Sequence, residues 1–316
     1  MKKHPLVFLC TYLLLANHFA LAQSPSAMPQ LASGTLRRFA NFTSKYVDAR
    51  NIDVWLPAQY NGKKAFSVLY MHDGQGLYDS AVTWNKQEWG VDETVGNLLE
   101  NKQIQPCIVV GIWNSGRNRH VDYFPQKPFE SLNQAVQDTL LQSLRSNGAI
   151  VFSGKPQSDA YLKFLVYELK PFIDSVFKTR PQAKHTFIAG SSMGGLISMY
   201  ALCEYPKIFG GAACLSTHWP GIFTNHQNPI PEAFFQYLQQ HLPAPATQHK
   251  LYFDYGTETL DALYPIHQQK VDSIMRAAGY SNKQWMTKQF VGANHSEKAW
   301  QKRLAIPIRF LLGTHK

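Results

Sequence analysis

The stretch Lys184–Tyr200, KHTFIAGSSMGGLISMY, decides the fold. Thr186, Phe187, Ile188 and Ala189 form an apolar run that fits a buried parallel strand. The run stops at Gly190-Ser191-Ser192-Met193-Gly194-Gly195, and Leu196, Ile197, Met199 and Tyr200 then begin a helical face. A strand, a tight turn and a helix with serine at the apex is the context in which G-x-S-x-G reads as a nucleophile elbow. So sharp a bend exposes the serine Oγ and crowds the positions two before and two after it, so both must be nearly bare. Around Ser192 they are Gly190 and Gly194; around Ser191 they are Ala189 and Met193, and Met193 does not fit. Ser192 is therefore the candidate nucleophile. The competing reading is a glycine-rich turn that merely ends a strand, so a base, an acid and an oxyanion hole must be found where an elbow needs them.

Outward from this stretch, strands and helices alternate. Leu36–Phe42 and Asn51–Leu56 read as an antiparallel opening pair. Phe66–Met71, Cys107–Ile112, Phe209–Leu215, Leu251–Tyr255 and Trp285–Val291 read as further strands. Helices are expected over Val91–Glu100, Leu132–Leu144, Asp159–Phe177, Ala262–Ala278 and Glu297–Leu312, with Pro171 kinking the third. The pattern implies an α/β fold with a mostly parallel sheet covered on both sides. Ligands of such sheets bind beyond the carboxyl ends of the strands, so the chemistry belongs to the loops there. Residues 114–157 read as an inserted lid or substrate wall.

The first 22 residues resemble a secretory signal: Lys2 and Lys3, an apolar Leu6–Leu15, and a small-residue cleavage site at Ala20-Leu21-Ala22. A flexible leader, residues 23–33, and one catalytic domain, residues 34–316, are expected to follow, exported to the periplasm or beyond. Loss of the signal removes two lysines and no acids, so the net charge falls from +10 to +8. The basic residues are scattered, with no aromatic-interleaved stripe, which argues against a nucleic-acid partner. Cys107, Cys203 and Cys214 remain, an odd count that leaves at least one free thiol; a Cys203–Cys214 disulfide is left open. No metal-ligand spacing or phosphate loop occurs, so no metal or cofactor is expected.

A serine hydroxyl needs an adjacent base, usually histidine, and on this type of fold the order along the chain is Ser, Asp or Glu, then His. Of twelve histidines, those before Ser192 break the order. His218 and His226 precede any plausible acid, His241, His249 and His267 fall in or beside core elements, and His315 lies in the tail. His295 remains, directly after the last strand. Asn294-His295-Ser296 also spells a glycosylation sequon, but a glycan there would block the base. The acid comes from Gly256-Thr257-Glu258-Thr259-Leu260-Asp261: Asp261 is favoured, Glu258 is the alternative, and a helix cap is the structural reading of Asp261. The oxyanion donors are the main-chain N–H groups of Met193 and Gln75.

With these residues in place the chain resembles the esterase D/enterochelin esterase family of α/β-hydrolases, which includes feruloyl and acetyl-xylan esterases. The resemblance runs from Gly34 to Leu312 and rests on Asp73-Gly74-Gln75, Gly190–Gly195, Gly256–Asp261 and Gly292–Trp300. It implies an α/β-hydrolase fold and cofactor-free hydrolysis of a carboxylic ester through an acyl-Ser192 intermediate, with Ser192 and His295 in the catalytic triad; the acid is the family's variable element, so Asp261 and Glu258 both stay open. It also implies that the stretch around Arg119 and Tyr123 borders the cleft. Arg119, Tyr123 and Trp219 are expected to touch substrate, either an acylated carbohydrate or a siderophore lactone. Two further readings are acyl transfer on the same triad and a non-catalytic carbohydrate- or siderophore-binding protein on a hydrolase scaffold. Oligomeric state is not legible.

Overall fold

The computed structural model describes residues 27–145, 147–223 and 227–314; the expected signal peptide lies outside them. Among the described residues eight strands form one sheet: β1 (Thr35–Phe42), β2 (Arg50–Leu56), β3 (Ser67–His72), β4 (Cys107–Ile112), β5 (Thr186–Ser191), β6 (Gly211–Leu215), β7 (Lys250–Gly256) and β8 (Trp285–Phe290). Their order is β1-β2-β4-β3-β5-β6-β7-β8. β1 and β2 pair antiparallel, as do β2 and β4, while β3 to β8 run parallel.

Near-continuous apolar strands are explained by cover on both faces. Along β3 and β4, Val68, Tyr70, Ile108 and Val110 enter one core, which the helices Ser158–Lys163, Met193–Glu204, Ile230–His241 and Pro265–Ala277 complete. The alternate residues Leu69, Met71, Cys107 and Val109 enter a second core under Val91–Glu100 and Ala305–Leu312. Among the described residues no helix is long and apolar enough to cross a membrane. Cys107, Cys203 and Cys214 are all free and buried.

Three expected helices take a different form. Leu132–Leu144 shortens to Gln134–Leu141, because the Asn133 side chain caps it through Val136 N–H and Leu144 pairs instead with Ile150. Asp159–Phe177 divides into Ser158–Lys163, a π-helical Phe164–Leu169 and Lys170–Val176. Pro171 has no N–H to give to the turn before it, and the wider π turns stand where that donor is missing. Glu297–Leu312 breaks into Glu297–Gln301 and Ala305–Leu312, and the break contains Arg303, buried at 3 % exposure. Of the expected lid or substrate wall, Val121, Phe124, Phe129, Leu140 and Phe152 belong to the first core, while Asn114 and Arg119 line a cleft.

Candidate active site

Ser192 sits at the C-terminal end of β5, where Met193–Glu204 begins, with φ 58° and ψ −120°. A serine rarely adopts this conformation, and the surroundings hold it there. Ser192 N–H donates to Leu215 O at 2.9 Å, and Ser192 O accepts from His218 N–H at 3.2 Å. The two bare positions are not equivalent. A Cβ on Gly190 would lie 2.8 Å from the Gly194 carbonyl, whereas a Cβ on Gly194 would meet His72 Cβ and the Asp73 carboxylate at 3.4 and 3.5 Å, ordinary contacts.

The loops after β7 and β8 are laced together. Thr257 and Glu258 N–H both donate to Ala293 O at 3.0 Å, and His295 N–H donates to Thr259 Oγ1 at 3.0 Å. Asp261 lies in a 3-10 turn, Thr259–Leu263, that precedes the helix opened by Pro265, so it is not the cap of that helix. Its Oδ1 accepts from His295 Nδ1 at 2.5 Å. Glu258 is exposed, and its carboxylate contacts only Thr257 among the described residues. The structure therefore brings Asp261, not Glu258, to His295.

Asp261 is fully buried and fully engaged. Its Oδ2 accepts from Ser216 Oγ at 2.5 Å and from Gly256 N–H at 2.6 Å. Ser216 Oγ in turn accepts from Trp300 Nε1 at 3.0 Å and Arg303 Nη2 at 2.7 Å, and Arg303 Nη2 also reaches Asp254 Oδ1 at 2.9 Å. Burial alone would raise the Asp261 carboxyl, but His295, Ser216 and the Gly256 N–H outweigh it and hold it below its ordinary value. Asp254, buried beside Arg303, is pushed up to about 6 by burial. Ser216 and Arg303 escape a reading of the sequence, since no local pattern marks a serine after β6 or an arginine in a helical break as support for an acid.

Ser192 and His295 line one cleft of about 500 Å³. Among the described residues no hydrogen bond joins their side chains; the Tyr264 hydroxyl lies beside Ser192 instead, 2.8 Å from His218 Nδ1. His295 Nε2 has no partner among the described residues, and the ring stands edge-on to Tyr264 and Trp300, with centroids 5.9 and 5.0 Å away. His218 is 1 % exposed, and burial drives its imidazole down to about 3, so it stays neutral.

Gln75 lies in the turn Gly74–Gly76 after β3. Gly74 is required for close approach: a Cβ there would lie 2.5 Å from the Gly111 carbonyl carbon of β4. The N–H groups of Gln75 and Met193 donate to no described residue. Asp73 binds Arg119 in a fork, with Nε and Nη2 each 2.7 Å from a carboxylate oxygen, and accepts from Asn114 Nδ2 at 2.7 Å. Arg119 therefore lines the cleft with its charge already paired.

Two expected substrate contacts lie elsewhere. Tyr123 and Trp219 are completely buried: Tyr123 packs on His72 and Tyr161, and Trp219 Nε1 donates to Gln268 Oε1 at 3.0 Å. Large aromatics near strand ends satisfy the core as readily as a pocket, and sequence does not separate the two. The cleft wall instead includes Trp84, 88 % exposed, together with Asn85, Gln87, Trp89, Glu297 and Trp300.

A family model described as "Putative esterase" matches residues 44–310. The uncharacterized protein YbbA of Bacillus subtilis is 24 % identical over 172 residues, 54 % of this chain and 58 % of that protein. The chain thus aligns with little more than half the length of this curated relative. A solved ferulic acid esterase is 17 % identical with a TM-score of 0.61, covering 88 % of this chain and 98 % of its own. The enterochelin esterase of Shigella flexneri is 14 % identical with a TM-score of 0.60, covering 90 % of this chain and 60 % of its own. Similarity at this level establishes the shared α/β-hydrolase fold.

Proposed function

The chain belongs to this esterase family, and from that premise we propose that it is an exported serine carboxylesterase with Ser192 as nucleophile, His295 as base and Asp261 as the orienting acid. The observation that carries the reading is the 2.5 Å bond from His295 Nδ1 to a buried carboxylate, which leaves Nε2 open to the cleft that Ser192 shares. Asp261 fixes the tautomer with the proton on Nδ1, so Nε2 is the basic nitrogen.

In the reaction Ser192 Oγ turns from Tyr264 towards His295, gives its proton to Nε2 and attacks the ester carbonyl. The resulting oxyanion accepts from the Gln75 and Met193 N–H groups, which have no other acceptor among the described residues to release. Loss of one such donor typically costs about 3 kcal/mol of transition-state stabilisation. Collapse expels the alcohol, which takes the proton from His295 and leaves acyl-Ser192. Water, deprotonated by His295, then attacks the acyl carbonyl, and as the C–Oγ bond breaks His295 returns the proton to Ser192 Oγ and the acid leaves.

An acylated carbohydrate or a siderophore lactone suits the wall of the cleft. Trp84 offers an exposed flat ring beside the Asn85 and Gln87 amides, the chemistry that receives a sugar ring or an aromatic acyl group. Acetyl, butyryl and feruloyl aryl esters, with a catecholate trilactone, test the reading. Wild type is expected to turn over at least one of them and to react with a fluorophosphonate probe, and Ser192→Ala to lose about a millionfold in kcat. Activity that survives in the alanine variant overturns the assignment.

A further inference from the structure

Arg119 lines two cavities, the cleft of Ser192 and a second one of about 520 Å³. Arg117, Arg119, His120 and Arg145 line the second cavity, and among the described residues no carboxylate does. Asp73 pairs Arg119, but Arg117 and Arg145 make no ion pair with any described residue. Arg145 lies 4.9 Å from the Phe223 ring centroid, held by the ring rather than by an anion. Burial and the nearby Arg119 both depress its ionisation, the sign of cations gathered without a counter-charge.

His120 supplies an independent observation. It is 4 % exposed, and its Nε2 is buried without a hydrogen-bond partner. Buried polar atoms are seldom left so, because desolvation without a partner is costly. Burial, followed by His218, Arg145 and Arg119, holds the ring well below its ordinary value and so neutral, against a smaller opposing backbone hydrogen bond at Gly221. A bound anion in this cavity would offset that balance and favour the protonated ring. Solvated surface arginines explain Arg117 alone; they do not explain a half-buried Arg145 beside an orphaned imidazole.

We propose that the second cavity binds a carboxylate or phosphate group carried by the substrate, so that the enzyme selects acidic esters. The proposal rests on the esterase reading, and the one link between the second cavity and the cleft of Ser192 is the wall they share at Arg119. Guanidinium groups suit the task, since their planar forks match the oxygens of either anion.

Matched pairs of esters test it, and they separate the two places an acid group can occupy. The acyl arm compares 4-nitrophenyl hemiadipate with 4-nitrophenyl hexanoate. The alcohol arm compares 3-acetoxybenzoate with its methyl ester. Wild type is expected to favour the acidic member of at least one pair by about fivefold or more in kcat/KM, the discrimination expected of about one charge-assisted contact. In the Arg117→Gln/Arg145→Gln double variant that preference should fall to within about twofold of unity, while rates on the neutral esters stay within about twofold of wild type. The single Arg117→Gln variant, at an exposed position, should lie between the two. Absence of the preference in wild type, or its survival in the double variant, overturns the proposal. Hydrolysis of no ester, or undiminished hydrolysis by Ser192→Ala, instead removes the esterase reading and the proposal with it.

Discussion

At the residue scale the site turns on which carboxylate holds the imidazole. Asp261 accepts three hydrogen bonds in a dry setting, while Glu258 sits in water one turn earlier. An amide at position 261 can present its NH2 group to Nδ1, which puts the imidazole proton on Nε2 and removes the base. We therefore expect Asp261→Asn to lower kcat by about four orders of magnitude, the loss seen for such a change in other serine enzymes. Glu258→Gln should leave kcat within about twofold. Steady-state kinetics on one aryl ester decides between them, and the reverse ranking would hand the role to Glu258.

Among the elements, the β7 and β8 loops act as one unit. Gly256 closes β7 so near the neighbouring loop that a Cβ there would stand 2.1 Å from Ala293 O. Thr259, a β-branched residue at φ 55°, turns the chain so that its hydroxyl receives His295 N–H. Gly256→Ala must push the two loops apart while the sheet beneath them, with β7 and β8 in register over six pairs, remains. A displacement of about 1 Å at reacting groups can cost about a hundredfold. We expect a fall in kcat of that order with the far-ultraviolet circular dichroism spectrum unchanged; a variant with wild-type kcat would show that the lacing is dispensable.

On the scale of the whole molecule, three buried histidines set the response to acid. Burial pushes His72 and His218 down to about 3 and His120 well below its ordinary value, so each is neutral when folded and takes up a proton when unfolded. A base whose folded pKa is depressed supplies stability that is complete above the unfolded value, about 6.5, and drains away as pH falls towards the folded one. Asp254, pushed up to about 6, and Glu93, pushed up to about 7, work the other way over a narrower span. Asp73 and Asp261, held low, lose their contribution only below about pH 4. Tm should therefore fall steadily from pH 6.5 to 4. His218→Asn keeps a partner for the Tyr264 hydroxyl and should flatten the slope by up to about 1.4 kcal/mol per pH unit. A slope unchanged in that variant would mean that His218 titrates normally.

Local patterns were enough to read the strand–turn–helix at Ser192, the limits of Val91–Glu100 and Cys107–Ile112, and the loops that carry His295 and Asp261. Each is governed by neighbours a few residues away: the period of apolar positions, the absence of a Cβ, the order of turns after strands. The single helix expected at Glu297–Leu312 was misread because propensity does not report where an inward-facing arginine is accommodated, whereas the helix at Asp159–Phe177 was read in its extent and its disturbance by Pro171 but not in its π turns. Tertiary structure alone decided that Tyr123 and Trp219 are core, that Trp84 is rim, that Asp261 rather than Glu258 reaches the imidazole, and that Ser216 and Arg303 stand behind it. Those outcomes depend on contacts across tens to hundreds of residues, where burial and charge are set by whichever chain segments the sheet brings together.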